Sequence, residues 1–86
     1  MKYFHVIIEE RNGEQEYSFP KVIKARTQAS AEKKAEQLAQ HWYDTSDGVP
    51  RINESGWFEH LDGCVAVRVD KVDETTPEEF FNYYLR

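Results

Sequence analysis

Residues 27–43 read TQASAEKKAEQLAQHWY, and this stretch decides the fold. Its apolar residues recur at spacings of three and four, which place them on one face of a helix. They are Ala31, Ala35, Leu38, Ala39 and Trp42. Strong helix formers fill the other positions, and Thr27 is expected to cap the helix because its hydroxyl can accept from an unbonded N–H. The face is mostly alanine, so we expect the helix to lie close against a flat sheet.

Two strands are predicted before this helix. Residues 3–10 are rich in aromatic and β-branched side chains, and residues 14–26 form the return strand. Asn12 and Gly13 between them are typical of a type I′ hairpin turn. Pro20 has no N–H to donate, so the second strand is expected either to lie at an edge of the sheet or to have a bulge at this residue.

The turn also predicts a register. A loop of Asn12 and Gly13 pairs Arg11 with Glu14. The inner-face pairs that follow are Ile8 with Tyr17 and Val6 with Phe19. Apolar residues then meet apolar residues, which favours this register.

Turn-forming residues fill positions 44–56, and a second hairpin is predicted after them. Its strands are residues 57–61 and 64–72, joined at Asp62 and Gly63. This register places Phe58 opposite Val67 on the inner face. On the outer face it places Trp57 opposite Arg68, close enough for a cation–π contact.

The last segment predicts a second helix. Thr76 is expected as its N-cap, Pro77 as its first residue, and Glu79 as the third position of a capping box. The whole chain, residues 1–86, is therefore predicted to be one α+β domain of order ββαββα. We expect an antiparallel four-stranded sheet with two helices packed on one face.

Composition predicts the cellular compartment of the protein. There is no run of 18 apolar residues, so no membrane partner is expected. The start, MKYFHVII, is followed too soon by acidic residues to be typical of a signal peptide. The single cysteine, Cys64, fits a reducing compartment, so the cytoplasm is expected.

The charge predicts a partner. The chain has 11 basic and 16 acidic residues, a net charge of −5, which argues against nonspecific binding of nucleic acid. We expect it to bind another protein that has a basic surface. The predicted binding residues are Glu9, Glu10, Glu14 and Glu16 near the first hairpin, Asp70, Asp73 and Glu74 near the C-terminus, and Tyr3 and Trp57 on the open sheet face. The aromatic residues of that face also predict a homodimer.

A small nucleic-acid-binding module is the alternative. It would use the basic junction between the second strand and the helix. Its cations are Lys21, Lys24, Arg26, Lys33 and Lys34.

Few residues suggest chemistry. His60 and Cys64 flank the second turn, where a metal site or a nucleophile–base pair is conceivable. The spacing matches no paired metal motif, and no cofactor or enzyme activity is expected.

The run IKARTQASAEKKAEQLA, residues 23–39, follows a hairpin and precedes another. This pattern, over about residues 1–72, resembles small phage and mobile-element accessory proteins of the anti-CRISPR type. The resemblance implies a stoichiometric binder: a phage-encoded inhibitor of a host defence (CRISPR-Cas) complex.

Overall fold

The computed structural model describes residues 1–43, 45–46, 48–76 and 78. Within them the chain forms β1 (Lys2–Asn12), β2 (Gln15–Ala25), α1 (Gln28–Gln40), β3 (Phe58–His60) and β4 (Val65–Thr75). The strands make one antiparallel sheet in the order β2-β1-β4-β3, so the predicted α+β class and four-stranded sheet are confirmed. The second predicted helix falls almost entirely on residues 77 and 79–86, which lie outside the described residues. The described elements therefore run ββαββ rather than ββαββα.

The first hairpin turns one residue later than predicted. A type I′ turn on Asn12 and Gly13 needs a positive φ at both residues. In this turn only Gly13 has one, at 63°. Gly13 and Glu14 therefore form the loop, with glycine first as in a type II′ turn, and Asn12 pairs with Gln15. The predicted pairing of Arg11 with Glu14 is wrong for this reason.

The register consequently differs from the prediction by two residues. Ile8 lies opposite Phe19 instead of Tyr17, and Val6 lies opposite Lys21. Because side chains alternate with a period of two, an even shift leaves every residue on its predicted face. Ile8 and Val6 are accordingly buried in the core.

The helix α1 is shorter than residues 27–43 but begins where predicted. Thr27 Oγ1 accepts from the Ser30 N–H at 3.1 Å, which confirms the cap. The buried residues of α1 are Ala31, Ala35 and Ala39. Their small side chains let the helix backbone approach the sheet, as predicted.

Side chains of α1 bind two strands on either side of the central β1. Lys34 Nζ donates to the Lys24 carbonyl of β2 at 2.7 Å. Gln28 Nε2 donates to the Val72 carbonyl of β4 at 2.8 Å. β2 is an edge strand, the first of the two alternatives that Pro20 predicted.

β4 contains a bulge that was not predicted. Val69 lies opposite Ile8 and Lys71 lies opposite Ile7, so Asp70 is an extra residue in the ladder. The inward-facing positions change from odd to even numbers at this point. The valines of β4 that pack toward the core are Val65, Val67, Val69 and Val72.

The second hairpin keeps its predicted register with a longer turn. Phe58 lies opposite Val67, which confirms that pair, but the ladder ends at His60 and Val65. Residues 61–64 form a four-residue loop in place of the predicted two. Leu61, Asp62 and Gly63 have positive φ, so the chain reverses direction within this loop and not within the paired strands.

Candidate functional site

Two of the four carboxylates near the first hairpin are engaged by arginines. Glu9 Oε2 accepts from Arg68 Nε at 3.1 Å and from Nη2 at 3.0 Å. Glu16 Oε1 accepts from Arg11 Nε at 3.1 Å and from Nη2 at 2.9 Å. Glu14 is exposed in the turn. Since two of these glutamates have a cationic partner, the hairpin presents less negative charge than its composition predicts.

Glu10 lies in the core instead of at an exposed tip. Its exposed fraction is 7%, and the Tyr43 hydroxyl donates to its Oε1. This hydrogen bond, together with burial and the charge of Glu10, raises the pKa of Tyr43 to about 12. The prediction that Glu10 belongs to an accessible acidic surface is wrong, because even-numbered residues of β1 face the helix.

His60 is also a core residue. It is 3% exposed, its Nε2 lies 2.9 Å from the Ala39 carbonyl, and its ring meets Tyr43 edge-on at 5.3 Å. A carbonyl only accepts, so Nε2 carries the proton in this bond. The imidazole anchors the end of α1, whereas Cys64 is exposed in the turn. Across the described residues, no group of three or more His, Cys, Asp or Glu side chains is placed to hold a metal ion.

Trp57 lies between two guanidinium groups on the open sheet face. Arg11 Cζ is 4.8 Å and Arg68 Cζ 4.7 Å from the ring centroid. The predicted contact with Arg68 is therefore confirmed, and Arg11 adds a second one. Trp57 is only 8% exposed, so it supports this face more than it offers a free ring to a partner.

The segment before Trp57 holds it in place. Asn53 Oδ1 accepts from the Ser55 and Trp57 N–H groups, each at 3.0 Å. Ile52 forms a bridge with Phe58, which extends the sheet beyond β3. The described part of the predicted 44–56 loop is therefore hydrogen-bonded structure near Trp57.

Five other acidic residues lie together at one side of the molecule. A groove between α1 and β4 is lined by Ala29, Glu32, Lys33, Glu36, Val69, Asp70, Lys71 and Val72. Asp73 and Glu74 follow along the strand and are exposed. We call Glu32, Glu36, Asp70, Asp73 and Glu74 the acidic edge. Two of them have cationic neighbours, at 3.9 Å for Asp70 and 3.7 Å for Glu74, and ion pairs this exposed contribute little.

The strand beneath the acidic edge has a free side. β3 pairs only with residues 65–67 of β4, so no described residue pairs with residues 68–74 on the side away from β1. Apart from the Val72 carbonyl, which accepts from Gln28, backbone N–H and C=O groups on such an edge are available to a partner. Carboxylates and free backbone groups thus occur together here.

The predicted basic cluster is divided by the helix. Lys24 Nζ lies 5.4 Å from the centroid of the Tyr3 ring, and Lys21 Nζ lies 5.6 Å from that of Trp42. Lys33, by contrast, lines the acidic groove on the other flank of α1. Four of the five predicted cations therefore remain on the β2 side.

Two features of these surfaces were missed from the sequence. The sequence holds one indication that Glu10 is buried: like the other even-numbered residues of β1, it falls on the face that packs against the helix. The bulge did have one: Val65, Val67 and Val69 alternate, and the next valine comes after three residues instead of two. That break in period marks Asp70 as an insertion in the ladder.

No protein-family model, curated protein or solved structure matches this chain. In the described ranges no helix has the length and apolar character needed to cross a membrane.

Proposed function

We propose that this chain is a non-enzymatic, cytoplasmic protein-binding domain that docks on a basic surface of another protein through its acidic edge. The pattern resemblance supports a specific role, that of a phage-encoded inhibitor of a host defence complex. In that role the carboxylates occupy a surface on which the partner otherwise holds nucleic acid.

One observation carries the proposal. Asp70, Asp73 and Glu74 lie on the segment of β4 whose outer side no described residue pairs with, and Glu32 and Glu36 face it across the groove. An extended basic segment can pair with such a strand while its lysines or arginines meet these carboxylates. This edge replaces the predicted hairpin tip as the main acidic surface, since Glu10 is buried and the carboxylates of Glu9 and Glu16 accept from arginines at 2.9–3.1 Å, closer than the 3.7 and 3.9 Å ion pairs of Glu74 and Asp70.

The experiment compares two variants that each remove three negative charges. The test variant is Asp70→Asn, Asp73→Asn and Glu74→Gln. The control is Glu14→Gln, Glu54→Gln and Asp62→Asn, which are exposed and lie away from the acidic edge. Tagged proteins are used to isolate partners from lysate of the host cell, and the affinity of each retained protein is then measured.

We expect the test variant to bind its partner about tenfold more weakly and the control to bind as the original chain does. Three exposed charge contacts of about 0.5 kcal/mol each amount to about 1.5 kcal/mol, which corresponds to that factor. If the test variant bound its partner as tightly as the original chain does, these charges would only keep the strand edge solvated. If the control lost as much affinity as the test variant, the position of the charges would not matter. Either result would contradict the proposal.

A further inference from the structure

We infer that the edge of the molecule opposite the acidic edge binds the phosphodiester backbone of duplex nucleic acid. Four cations mark this basic edge: Lys21, Lys24 and Arg26 in and just after β2, and Lys34 on the neighbouring flank of α1. The proposal is independent of the acidic edge and of its protein partner.

Charge on the basic edge is of one sign. No acidic residue occurs between Glu16 and Glu32 in the sequence. Glu32 and Glu36 of the helix line the groove on the β4 side. The net charge of −5 therefore arises elsewhere on the surface, and a polyanion approaching β2 meets positive charge first.

These cations are not neutralised within the described part of the chain. Its salt bridges engage Lys2, Arg11 and Arg68, and none joins a cation of the basic edge to a carboxylate. An ammonium that lacks a carboxylate partner can release counterions from a phosphate backbone when it binds there.

The cations lie along the edge of β2, with Lys21 on the helix face of the sheet and Lys24 on the open face. Lys34 Nζ donates to the carbonyl of Lys24, which brings the helix cation onto the strand. The four residue steps from Lys21 to the end of β2 at Ala25 extend about 13 Å, and Arg26 follows directly. That length matches about four phosphates of one duplex strand at about 3.4 Å axial rise each.

The aromatic rings nearby favour a duplex over a single strand. Lys24 lies over Tyr3 and Lys21 over Trp42, so these rings already have cationic partners. Single-strand binding proteins instead present open aromatic faces on which bases stack. The basic edge is thus suited to phosphate contacts without sequence preference.

The test is a titration of fluorescently labelled duplex DNA of 20 base pairs, followed by anisotropy between 50 and 150 mM NaCl. Four phosphate contacts predict a slope of about −3.6 for log affinity against log salt, which is about a 50-fold loss of affinity across this range. The substitutions Lys21→Gln, Lys24→Gln and Arg26→Gln together should reduce the slope to about −1.

A matched control carries Lys33→Gln, Arg51→Gln and Lys71→Gln. These cations are also exposed and have no salt bridge among the described residues, but they lie away from the basic edge. The control should keep the original slope. Three results would overturn the inference: no binding at 50 mM salt, equal losses in both triple variants, or tighter binding of the single strand than of the duplex.

Discussion

Thr27 shows how one side chain fixes the position of the helix. Its Oγ1 accepts from the Ser30 N–H, one of the N–H groups that have no partner within α1. We expect Thr27→Ala to lower the free energy of unfolding by about 1 kcal/mol, measured by urea denaturation. The control Ser55→Ala removes an exposed hydroxyl outside the helix and should change it by less than about 0.5 kcal/mol.

Tyr43 has a comparable role at the other end of α1, where its hydroxyl supplies a donor to the buried Glu10 carboxylate. We expect Tyr43→Phe to cost about 1 to 3 kcal/mol in urea denaturation, because it leaves a buried acceptor without its partner. Tyr17→Phe removes a hydroxyl from an exposed ring and is the matched control. Equal costs for the two variants would argue against a special role of the Glu10 contact.

The same hydroxyl predicts a pH dependence. The pKa of Tyr43 rises from about 10 in the unfolded chain to about 12 in the fold, so folding favours the neutral phenol. Its contribution to stability is complete below about pH 10 and is lost as the pH rises toward about 12. The difference in unfolding free energy between the original chain and Tyr43→Phe should therefore shrink between these pH values. If the difference in unfolding free energy stayed constant between these pH values, the predicted role of the Tyr43 proton would be contradicted.

Among the elements, β4 gives the sharpest test, because its bulge can be deleted. Without Asp70, Lys71 still falls opposite Ile7 and Val69 opposite Ile8, so the inner face keeps its valines. We expect the deletion variant to fold, with a circular dichroism spectrum like that of the original chain. A bulge bends the strand and limits pairing to the short stretches on either side of it, so the variant, with a continuous edge and one carboxylate fewer, should also self-associate in analytical ultracentrifugation.

Deletion of Ala66 is the control for that variant. It would bring Val65 and Val67 next to each other in sequence, so one of the two buried valines would be turned toward solvent. This variant should lose cooperative unfolding. If the Asp70 deletion also failed to fold, the bulge would be needed for the sheet itself.

The elements also show how far the sequence predicts this fold. The periodicity of apolar residues located α1 and all four strands, because apolar residues must face the core. The pairing of Phe58 with Val67 predicted the register of the second hairpin correctly for the same reason. The register of the first hairpin was wrong because Asn12-Gly13 and Gly13-Glu14 are both acceptable turns, and both put the same residues inside.

The surface was harder to predict than the core. The carboxylate count near the first hairpin did not reveal which side chains would bind Arg11, Arg68 or Tyr43, since these contacts join distant parts of the chain. Lys33 and Lys34 are adjacent in sequence, but successive helix residues point in different directions, so they serve opposite flanks.

At the scale of the whole molecule, the open sheet face predicts self-association. Three of its half-buried residues are apolar, Ile7, Val22 and Ala66, and they lie on three neighbouring strands among the ion pairs of this face. We expect light scattering at high protein concentration to give the mass of two chains, and Ile7→Lys to give the mass of one. Val49→Lys adds the same charge at an exposed position and should leave the dimer intact. A single-chain mass for the original protein would contradict the prediction.

The division of charge between the two sides of the sheet has a consequence for the solution behaviour of the protein. Lys21, Lys24 and Arg26 lie in or just after the edge strand β2, and Asp70 and Asp73 lie in β4 on the other side of β1. The charges of the described residues therefore give an electric dipole moment that runs across the sheet from β2 to β4. At low ionic strength, copies attract one another when oppositely charged sides meet, although each has a net charge of −5. The second virial coefficient should then rise as salt is added, whereas for a uniformly acidic protein it would fall.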